Sequence, residues 1–341
     1  MSDARELVLV VGIGRSGTSL LAGILGQIGF HIPQPEVNAD ETNPRGFGEP
    51  RWVVDFHRRI MRQLRVTVFD SRPAAWEATG AVASDDAIRA ELRDWLAGEL
   101  AQGEPVVVKD PRVSWFLDLW TRCAVDAGST PSFVTTLRHP AEILLSARRW
   151  YGDWQNDASR ATSWLNVMLE TERATRGARR AYVRYEDLLT GWAPQLQRIG
   201  AAVELPLLAE LDPAGHPQVD EFVDPTLHRQ RTRWDDLDVP APVRELCEQV
   251  WEQFQPLADA GGDVAAAHEA LDVSHRFYRG LYAEAEAVAQ SSVTAVKPRP
   301  RRATPRQPAA PPPGLAGLRV RIARRIPARH RKRLKRALGR A

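Results

Sequence analysis

Residues 8–21 read Val-Leu-Val-Val-Gly-Ile-Gly-Arg-Ser-Gly-Thr-Ser-Leu-Leu, a pattern that predicts a strand, a glycine-rich turn and the start of a helix. The apolar run before Gly12 is too short to span a membrane and is typical of a buried strand in a parallel sheet. From Thr18 to Ile28, apolar residues recur at helical spacing. Backbone N–H groups and the positive end of the helix dipole should therefore meet an anion at the turn.

The side chains of the turn add donors for phosphate or sulfate oxygens. Arg15 offers a guanidinium, and hydroxyls follow it at Ser16, Thr18 and Ser19. A nucleoside-triphosphate P-loop would need a lysine directly after Gly17, where this chain has threonine. The phosphate-bridging lysine of a nucleotide-dependent kinase is therefore missing.

The turn resembles the 5′-phosphosulfate loop of sulfotransferases that use 3′-phosphoadenosine 5′-phosphosulfate (PAPS). In that family, the basic residue at the position of Arg15 contacts the phosphosulfate, and sulfuryl transfer builds charge that such a group can stabilise. The resemblance implies a catalytic and donor-binding role for Arg15. It also implies donor binding by the residues that follow: Ser16, Gly17, Thr18 and Ser19.

A second phosphate site is indicated by residues 137–146, Leu-Arg-His-Pro-Ala-Glu-Ile-Leu-Leu-Ser. This segment is similar to the family's 3′-phosphate motif, in which an arginine at a strand end and a serine in the following helix bind the 3′-phosphate. The resemblance implies that role for Arg138 and Ser146. The alternative is an arginine paired with a nearby acid and a serine at a helix contact.

The run Lys109-Asp110-Pro111-Arg112 follows a second predicted buried strand, which places its charges at the same edge of the sheet. A half-buried lysine there needs an anionic partner. Similar bacterial and Golgi-type sulfotransferases carry a Lys-Asp-Pro run at this place. The resemblance implies that Lys109 neutralises or protonates the leaving phosphate, and an internal Lys–Asp pair is the alternative.

The acceptor hydroxyl needs a general base, and many Golgi-type and bacterial relatives use a glutamate after the loop. This chain offers Glu36, Glu41 and Glu49. The run Asn-Pro-Arg-Gly-Phe-Gly-Glu, ending at Glu49, resembles an element of bacterial sulfotransferases, which favours Glu49 over Glu41. Three histidines are weaker candidates, because a lone histidine near an apolar stretch is more often structural: His31, His57 and His139.

A basic loop late in the chain carries Arg229, Arg231 and Arg233. In the resembled family a late basic segment closes over the nucleotide, which implies donor binding by Arg229 and Arg231, and a solvated charge run is the alternative. The closing motif of cytosolic sulfotransferases is absent, which argues against a phenol- or steroid-directed enzyme. The run at 182–189 is expected to be architectural.

The alternation of strands and helices predicts a P-loop-like three-layer α/β/α domain with a central parallel sheet, spanning residues 1–290. Helical insertions at 50–100 and 150–180 are expected to shape the acceptor pocket. A disordered Pro/Arg-rich linker at 291–313 and a basic amphipathic helix at 314–341 are predicted to follow.

Charge divides the chain, although its formal net charge is only +3. Residues 297–341 hold 16 Lys or Arg and no Asp or Glu, which leaves −13 on the remainder. Because the tail's Leu and Ile share one helix face and it has no aromatic residue to stack on bases, we expect it to bind an anionic membrane surface. Nucleic acid and the acidic body of the protein are the alternatives.

Compartment and function follow from these patterns. Cys123 and Cys247 have no metal-ligand spacing and are expected to be buried thiols in a reducing compartment. Without a signal peptide or a long apolar run, the protein should be cytoplasmic and peripheral to the inner membrane face. We expect a PAPS-dependent, metal-free sulfotransferase acting on a hydroxyl of a glycan, glycolipid or small metabolite. The alternatives are a P-loop kinase and an inactive PAPS-binding membrane scaffold.

Overall fold

The computed structural model describes residues 5–152, 154–224, 226 and 234–296. Its centre is a sheet of four parallel strands: β1 (Arg5–Val11), β2 (Val106–Lys109), β3 (Ser129–Leu137) and β4 (Arg179–Arg184). The strands lie in the order β2-β1-β3-β4. The turn after β1 therefore lies between the ends of β2 and β3.

Helices follow or separate the strands throughout the described chain. They are α1 (Thr18–Gln27), α2 (Arg51–Leu64), α3 (Pro73–Gly80), α4 (Asp86–Leu100), α5 (Leu117–Asp126), α6 (Pro140–Tyr151), α7 (Asp157–Ala174), α8 (Tyr185–Thr190), α9 (Trp192–Ala202), α10 (Pro206–Ala209), α11 (Pro217–Phe222), α12 (Ala241–Ala260) and α13 (Ala265–Val296). Short 3₁₀ segments occupy Ala81–Ser84, Val113–Phe116 and Pro213–Gly215.

Alternate residues of β1 build two separate cores, one on each face of the sheet. Leu7 and Leu9 join a core that includes buried residues of α2, α4, α5, α7 and α12. Val8 and Val10 join a second core with α1 and α9. Since a strand buried on both faces reads as an unbroken apolar run, the sequence pattern and the three layers agree. The predicted α/β fold with a central parallel sheet is confirmed.

Local signals set the helix ends near the site. The Asp85 carboxylate accepts hydrogen bonds from the backbone N–H groups of Ala87 and Ile88 and so caps α4. Pro140 occupies the first turn of α6, where a missing N–H costs nothing. Helix α3 has no recognisable pattern in the sequence, because its eight residues are too few for a clear apolar period.

The structure divides into a unit that ends at Glu286 and a second unit from Ala287, of which 287–296 is described as the end of α13. Residues 291–296 are thus helical where the sequence predicted linker. The rest of the predicted linker and the predicted terminal helix lie outside the described residues. Within the described chain, no helix is long and apolar enough to cross a membrane. Both cysteines are buried free thiols, as expected.

Candidate active site

A cleft of about 710 Å³ lies at the carboxyl edge of the sheet. Its walls include the turn after β1, Lys109 at the end of β2, and Arg138 directly after β3. This volume is in the range of small-molecule sites, and ligands of open parallel sheets bind at this edge. The structure therefore brings the two predicted anion sites and the predicted lysine into one cavity.

The turn after β1 holds its shape through strained backbone and close packing. Gly12 and Gly17 have φ values of 118° and 102°, and Arg15 itself has φ of 73°, a conformation uncommon for residues other than glycine. A Cβ at Gly17 would lie 2.5 Å from Cδ2 of Tyr185. Only glycine fits there. Backbone strain of this kind persists where the surrounding structure enforces it, often at functional sites.

The hydroxyls of the turn do not all reach the cleft. Thr18 and Ser19 line it, together with Gly17 and Arg15. Ser16 is fully buried, and its Oγ donates to the Ile13 carbonyl at 2.7 Å and also contacts Oγ1 of Thr136 at 2.7 Å. The Ser16 side chain therefore does not line the cleft, and its hydrogen bonds are used inside the protein.

The Lys109 ammonium is buried beside a carboxylate and a hydroxyl. Its Nζ donates to Oε1 of Glu49 at 2.5 Å and to Oγ of Ser19 at 3.1 Å. Lys109 is 2% exposed and Glu49 is 9% exposed. Because each charge compensates the other, the ion pair offsets the cost of removing both groups from water.

Of the three candidate glutamates, only Glu49 lines the cleft. Glu36 instead accepts a hydrogen bond from Gln34 at 2.8 Å, and Glu41 is exposed. Glu49, which ends the Asn-Pro-Arg-Gly-Phe-Gly-Glu run, is thus the candidate that lies in the cleft with Lys109.

Asp110 points away from the cleft into the core. Its Oδ2 accepts from Nδ1 of His57 at 2.8 Å, and its Oδ1 accepts from Nη1 of Arg112 at 2.6 Å. The internal Lys–Asp pair considered above is therefore wrong, because Asp110 pairs with Arg112 and His57 while Lys109 pairs with Glu49. Burial alone would raise the pKa of the Asp110 carboxyl, but Arg112 and His57 hold it below its ordinary value.

Trp120 determines which ring nitrogen of His57 carries the proton. The indole Nε1 of Trp120 donates to Nε2 of His57 at 3.0 Å, so Nε2 must be an acceptor and Nδ1 carries the proton that Asp110 accepts. Burial lowers the pKa of His57, against the opposing effect of Asp110. His57 is thus a buried neutral histidine.

The other histidines considered above are also structural. His31 bonds to Glu99 at 2.8 Å, and His139 caps α6 by accepting the N–H of Ala141 at 3.2 Å. Neither lines the cleft.

At the end of β3, Arg138 makes three contacts within the protein. It donates to Oε2 of Glu142 at 2.9 Å and to the carbonyl of Arg15 at 3.2 Å, and its guanidinium lies 4.6 Å from the ring centroid of Tyr185. The Oγ of Ser146 accepts from Nε of Arg15 at 3.0 Å. The acid pair considered as an alternative for Arg138 is present, and Arg138 also lines the cleft. Arg229, Arg231 and Arg233 lie outside the described residues.

Comparison with known proteins assigns the family. The model of the sulfotransferase family matches residues 8–210, which include every one of these cleft contacts. The chain belongs to the sulfotransferase family. A comparison with curated proteins finds no match.

Solved structures with a similar chain course are also sulfotransferases. The sulfotransferase domain from the Synechococcus PCC 7002 olefin synthase is 19% identical, with 74% of this chain and 95% of that chain covered and a TM-score of 0.44. The sulfotransferase domain from the curacin biosynthetic pathway is 15% identical, with coverage of 72% and 97% and a TM-score of 0.39. Sulfotransferase STF1 from Mycobacterium tuberculosis H37Rv is 18% identical, with coverage of 59% and 68% and a TM-score of 0.34.

The cleft of this sulfotransferase has wall residues that the sequence analysis missed. Phe69 and Tyr151 face each other with ring centroids 5.8 Å apart, and a Cβ at Gly14 would lie 3.5 Å from the Phe69 ring. Arg45 and Phe222 form a cation–π contact at 5.6 Å. Arg45 belongs to the Asn-Pro-Arg-Gly-Phe-Gly-Glu run. No motif marks the other three residues, of which Phe69 and Tyr151 lie in the two insertions from which wall residues were expected.

Tyr151 shows how close the reactive groups are to one another. Burial raises the pKa of its hydroxyl, the charge of Glu49 acts in the same direction, and Arg15 and Arg112 oppose them. Tyr151 lines the same cleft as Arg15, Glu49 and Arg112. Among the described residues, no group of three His, Cys, Asp or Glu side chains could hold a metal ion.

Proposed function

We propose that this sulfotransferase transfers the sulfuryl group of PAPS to an acceptor hydroxyl, with Glu49 as general base. The observation that carries the proposal is that one cleft is lined both by the turn after β1 and by the residues Arg138 and Ser146. Two anion-binding sets in one cavity match a donor with a 5′-phosphosulfate and a separate 3′-phosphate.

The donor would be bound at both of its ends. The 5′-phosphosulfate would lie at the N-terminus of α1, where backbone N–H groups and the helix dipole attract anions, with Arg15, Thr18 and Ser19 as side-chain donors. The 3′-phosphate would take hydrogen bonds from Arg138 and Ser146. Arg15 and Ser146 bond to each other across the cleft, and both would turn to donor oxygens when PAPS enters.

The chemical step needs a proton acceptor and a cation. As the acceptor oxygen forms its bond to sulfur, Glu49 takes the hydroxyl proton. The bond from sulfur to the bridging oxygen breaks, and Lys109 stabilises the charge that the leaving phosphate gains. Lys109 and Glu49 form an ion pair, so a turn of Lys109 toward the donor would release the carboxylate for its role as base.

Calorimetric titration tests the donor. We expect 3′-phosphoadenosine 5′-phosphate (PAP) to bind more tightly than ATP or AMP, and Arg138→Ala to weaken PAP by about 1.5–3 kcal/mol, the value of a hydrogen bond to a charged group. Arg122→Ala is the matched control, because Arg122 lies on α5 and, within the described part of the chain, pairs with Asp118 alone at the surface. A preference for ATP would contradict the proposal and favour the kinase alternative.

We further propose that residues 314–341 bring the protein to an anionic membrane surface on the cytoplasmic side, where a glycolipid or a precursor of a cell-envelope polysaccharide would be the acceptor. The excess of basic residues in 297–341 supports this proposal. Binding of the full chain to vesicles with and without phosphatidylglycerol tests it. Replacement of Lys332, Arg333, Lys335 and Arg336 by Gln should abolish the difference between the vesicles, and preferential binding to RNA would contradict it.

A further inference from the structure

We propose that the acceptor carries an anionic group, a carboxylate or a phosphate, and that Arg112 and Arg58 bind this group at the β2 end of the cleft. The inference rests on the proposed function, because it concerns the acceptor that meets PAPS there. It assigns a substrate class to a part of the cleft that the donor does not need.

Arg112 has unused hydrogen-bond donors. Its backbone N–H and its Nη1 both bond to Oδ1 of Asp110, at 3.1 and 2.6 Å. Its Nε and Nη2 make no hydrogen bond with any residue that the structure describes, and neither is a buried unsatisfied atom. Arg112 lines the cleft with a side chain 16% exposed. Part of its guanidinium is therefore available to a ligand, and its planar N–H groups suit a carboxylate or a phosphate.

The sheet order separates Arg112 from the 3′-phosphate site. β1 lies between β2 and β3, so Arg112 after β2 and Arg138 after β3 stand on opposite sides of the turn at 12–17. The donor phosphates would occupy the turn and the β3 side. The β2 side then contains Lys109 and Glu49, where the acceptor hydroxyl must lie, with Arg112 three residues beyond Lys109.

Among the described residues, seven Lys or Arg side chains line the cleft as a whole against three Asp or Glu side chains. Arg58 and Arg149 line the cleft, and neither forms an ion pair within the described part of the chain. Of the three acids that line the cleft, Glu49 is paired with Lys109 and Asp224 with Arg45. A cleft lined by uncompensated charge of one sign attracts ligands of the opposite sign.

Arg58 follows His57 in α2, and His57 belongs to the buried network that holds Arg112. Its neighbour His57 is fully buried and donates to Asp110, whose other oxygen accepts from Arg112. Trp120 in turn fixes the tautomer of His57. The chain thus uses a buried carboxylate, a histidine and an indole to orient one cleft arginine. Preorganisation of this kind lowers the cost of binding a ligand in a fixed geometry.

The aromatic pair beside these arginines would contact the rest of the acceptor. Phe69 and Tyr151 lie against each other, and Phe69 also borders Gly14 and Pro111 in the cleft wall. An acceptor with an apolar or ring-shaped body between its hydroxyl and its anionic group would fit this arrangement.

Calorimetry on the protein saturated with PAP tests the anion site apart from the donor site. The probes are phenyl phosphate, phenylacetate and neutral benzyl alcohol. We expect at least one anionic probe to bind more tightly than benzyl alcohol, and Arg112→Gln or Arg58→Gln to weaken it roughly tenfold or more. The anionic probe that binds more tightly shows whether the site prefers a phosphate or a carboxylate group.

Arg122→Gln is the control for general surface charge. Arg112→Gln leaves Asp110 without its cation and could impair folding, so the exposed Arg58→Gln provides an independent test. If PAP binds and neither anionic probe binds better than benzyl alcohol, or if Arg58→Gln and Arg112→Gln bind the anionic probes as wild type does, the anion site is wrong while the donor proposal stands. If PAP itself does not bind, both fail.

Discussion

Lys109 at the end of β2 and Arg138 directly after β3 are two cations at the same edge of the sheet, on either side of β1, yet the protein holds them differently. Arg138 is fixed by Glu142 one turn along α6, by the Arg15 carbonyl and by the Tyr185 ring. Lys109 bonds to Glu49, 60 positions away in the irregular segment before α2, and to Ser19. Local and multiple contacts suit a residue that binds without moving. A pair of reactive groups from separate segments suits a residue that changes partner.

Substitution of Glu49, the proposed general base, should have the largest effect on the transfer rate. Glu49→Gln keeps the size of the side chain and its hydrogen bond to Lys109 but removes the proton acceptor. We expect the transfer rate from PAPS, with an acceptor that the wild type sulfates, to fall about 10²–10⁴-fold, the usual range for a positioned acid or base. PAP affinity should change little.

Glu41→Gln is the matched control, since Glu41 is exposed outside the cleft. Wild-type rates in Glu49→Gln would remove Glu49 from the mechanism. The scaffold alternative would be favoured instead by a wild-type protein that binds PAP and transfers no sulfuryl group.

Substitution of Lys109, the cation of the same ion pair, should have the second-largest effect on the transfer rate. Lys109→Gln should lower kcat about 10²–10³-fold, because the group acts on charge that develops in the transition state. The double variant with Glu49→Gln should lose less than the product of the two single losses, since residues that act as a unit are not additive. Steady-state kinetics on the four proteins measure this coupling, and strict multiplicativity would show that the two groups act independently.

A substitution in the turn after β1 should disturb the packing that supports Arg138. Gly17→Ala places a Cβ 2.5 Å from Tyr185, whose ring supports Arg138, at φ of 102°. Gly29→Ala is a control with nearly the same φ, 103°, and no atom within 4 Å. Chemical denaturation should show an extra loss of about 1–3 kcal/mol in Gly17→Ala, the cost of overpacking. Equal losses would assign the whole effect to backbone strain.

The smallest effect concerns the buried network behind Arg112. Because burial lowers the pKa of His57 in the folded protein, the unfolded chain binds the proton first as the pH falls below about 6.5. Stability from His57 is therefore present above that pH and is lost toward pH 5, by at most about 1.4 kcal/mol per pH unit. Asp110, whose pKa is also lowered, acts in the same direction but only below about pH 4.

Urea unfolding at pH 7, 6 and 5 measures this difference. His57→Gln should be less sensitive to pH than wild type in this window, because glutamine can still donate to Asp110 but does not titrate. His216→Gln is the control, since His216 forms no ion pair within the described chain. An unchanged pH slope in His57→Gln would show that His57 is not a neutral buried group.

Local patterns explain why the sequence predicted the strand, the turn, both strand ends and Glu49. Each of these features occupies a short run in which apolar spacing, glycine and charge carry the information. Tertiary packing instead determines three other features. These are the direction of the Ser16 hydroxyl, the partners of Asp110, and the position of Phe69 and Tyr151 in the cleft wall. The Arg15–Ser146 bond joins residues 131 positions apart, and the His57–Asp110 bond joins residues 53 apart. No local pattern encodes such partners.

A crystal structure of the protein with PAPS and no acceptor would test the central claim most directly, because it measures two distances at once. We predict that the Lys109–Glu49 distance, now 2.5 Å, lengthens past hydrogen-bonding range as Lys109 reaches a donor oxygen. The Arg138–Glu142 distance, now 2.9 Å, should persist while Arg138 and Ser146 bind the 3′-phosphate. A 3′-phosphate bound elsewhere, or Lys109 still on Glu49 with no donor atom in reach, would contradict the account.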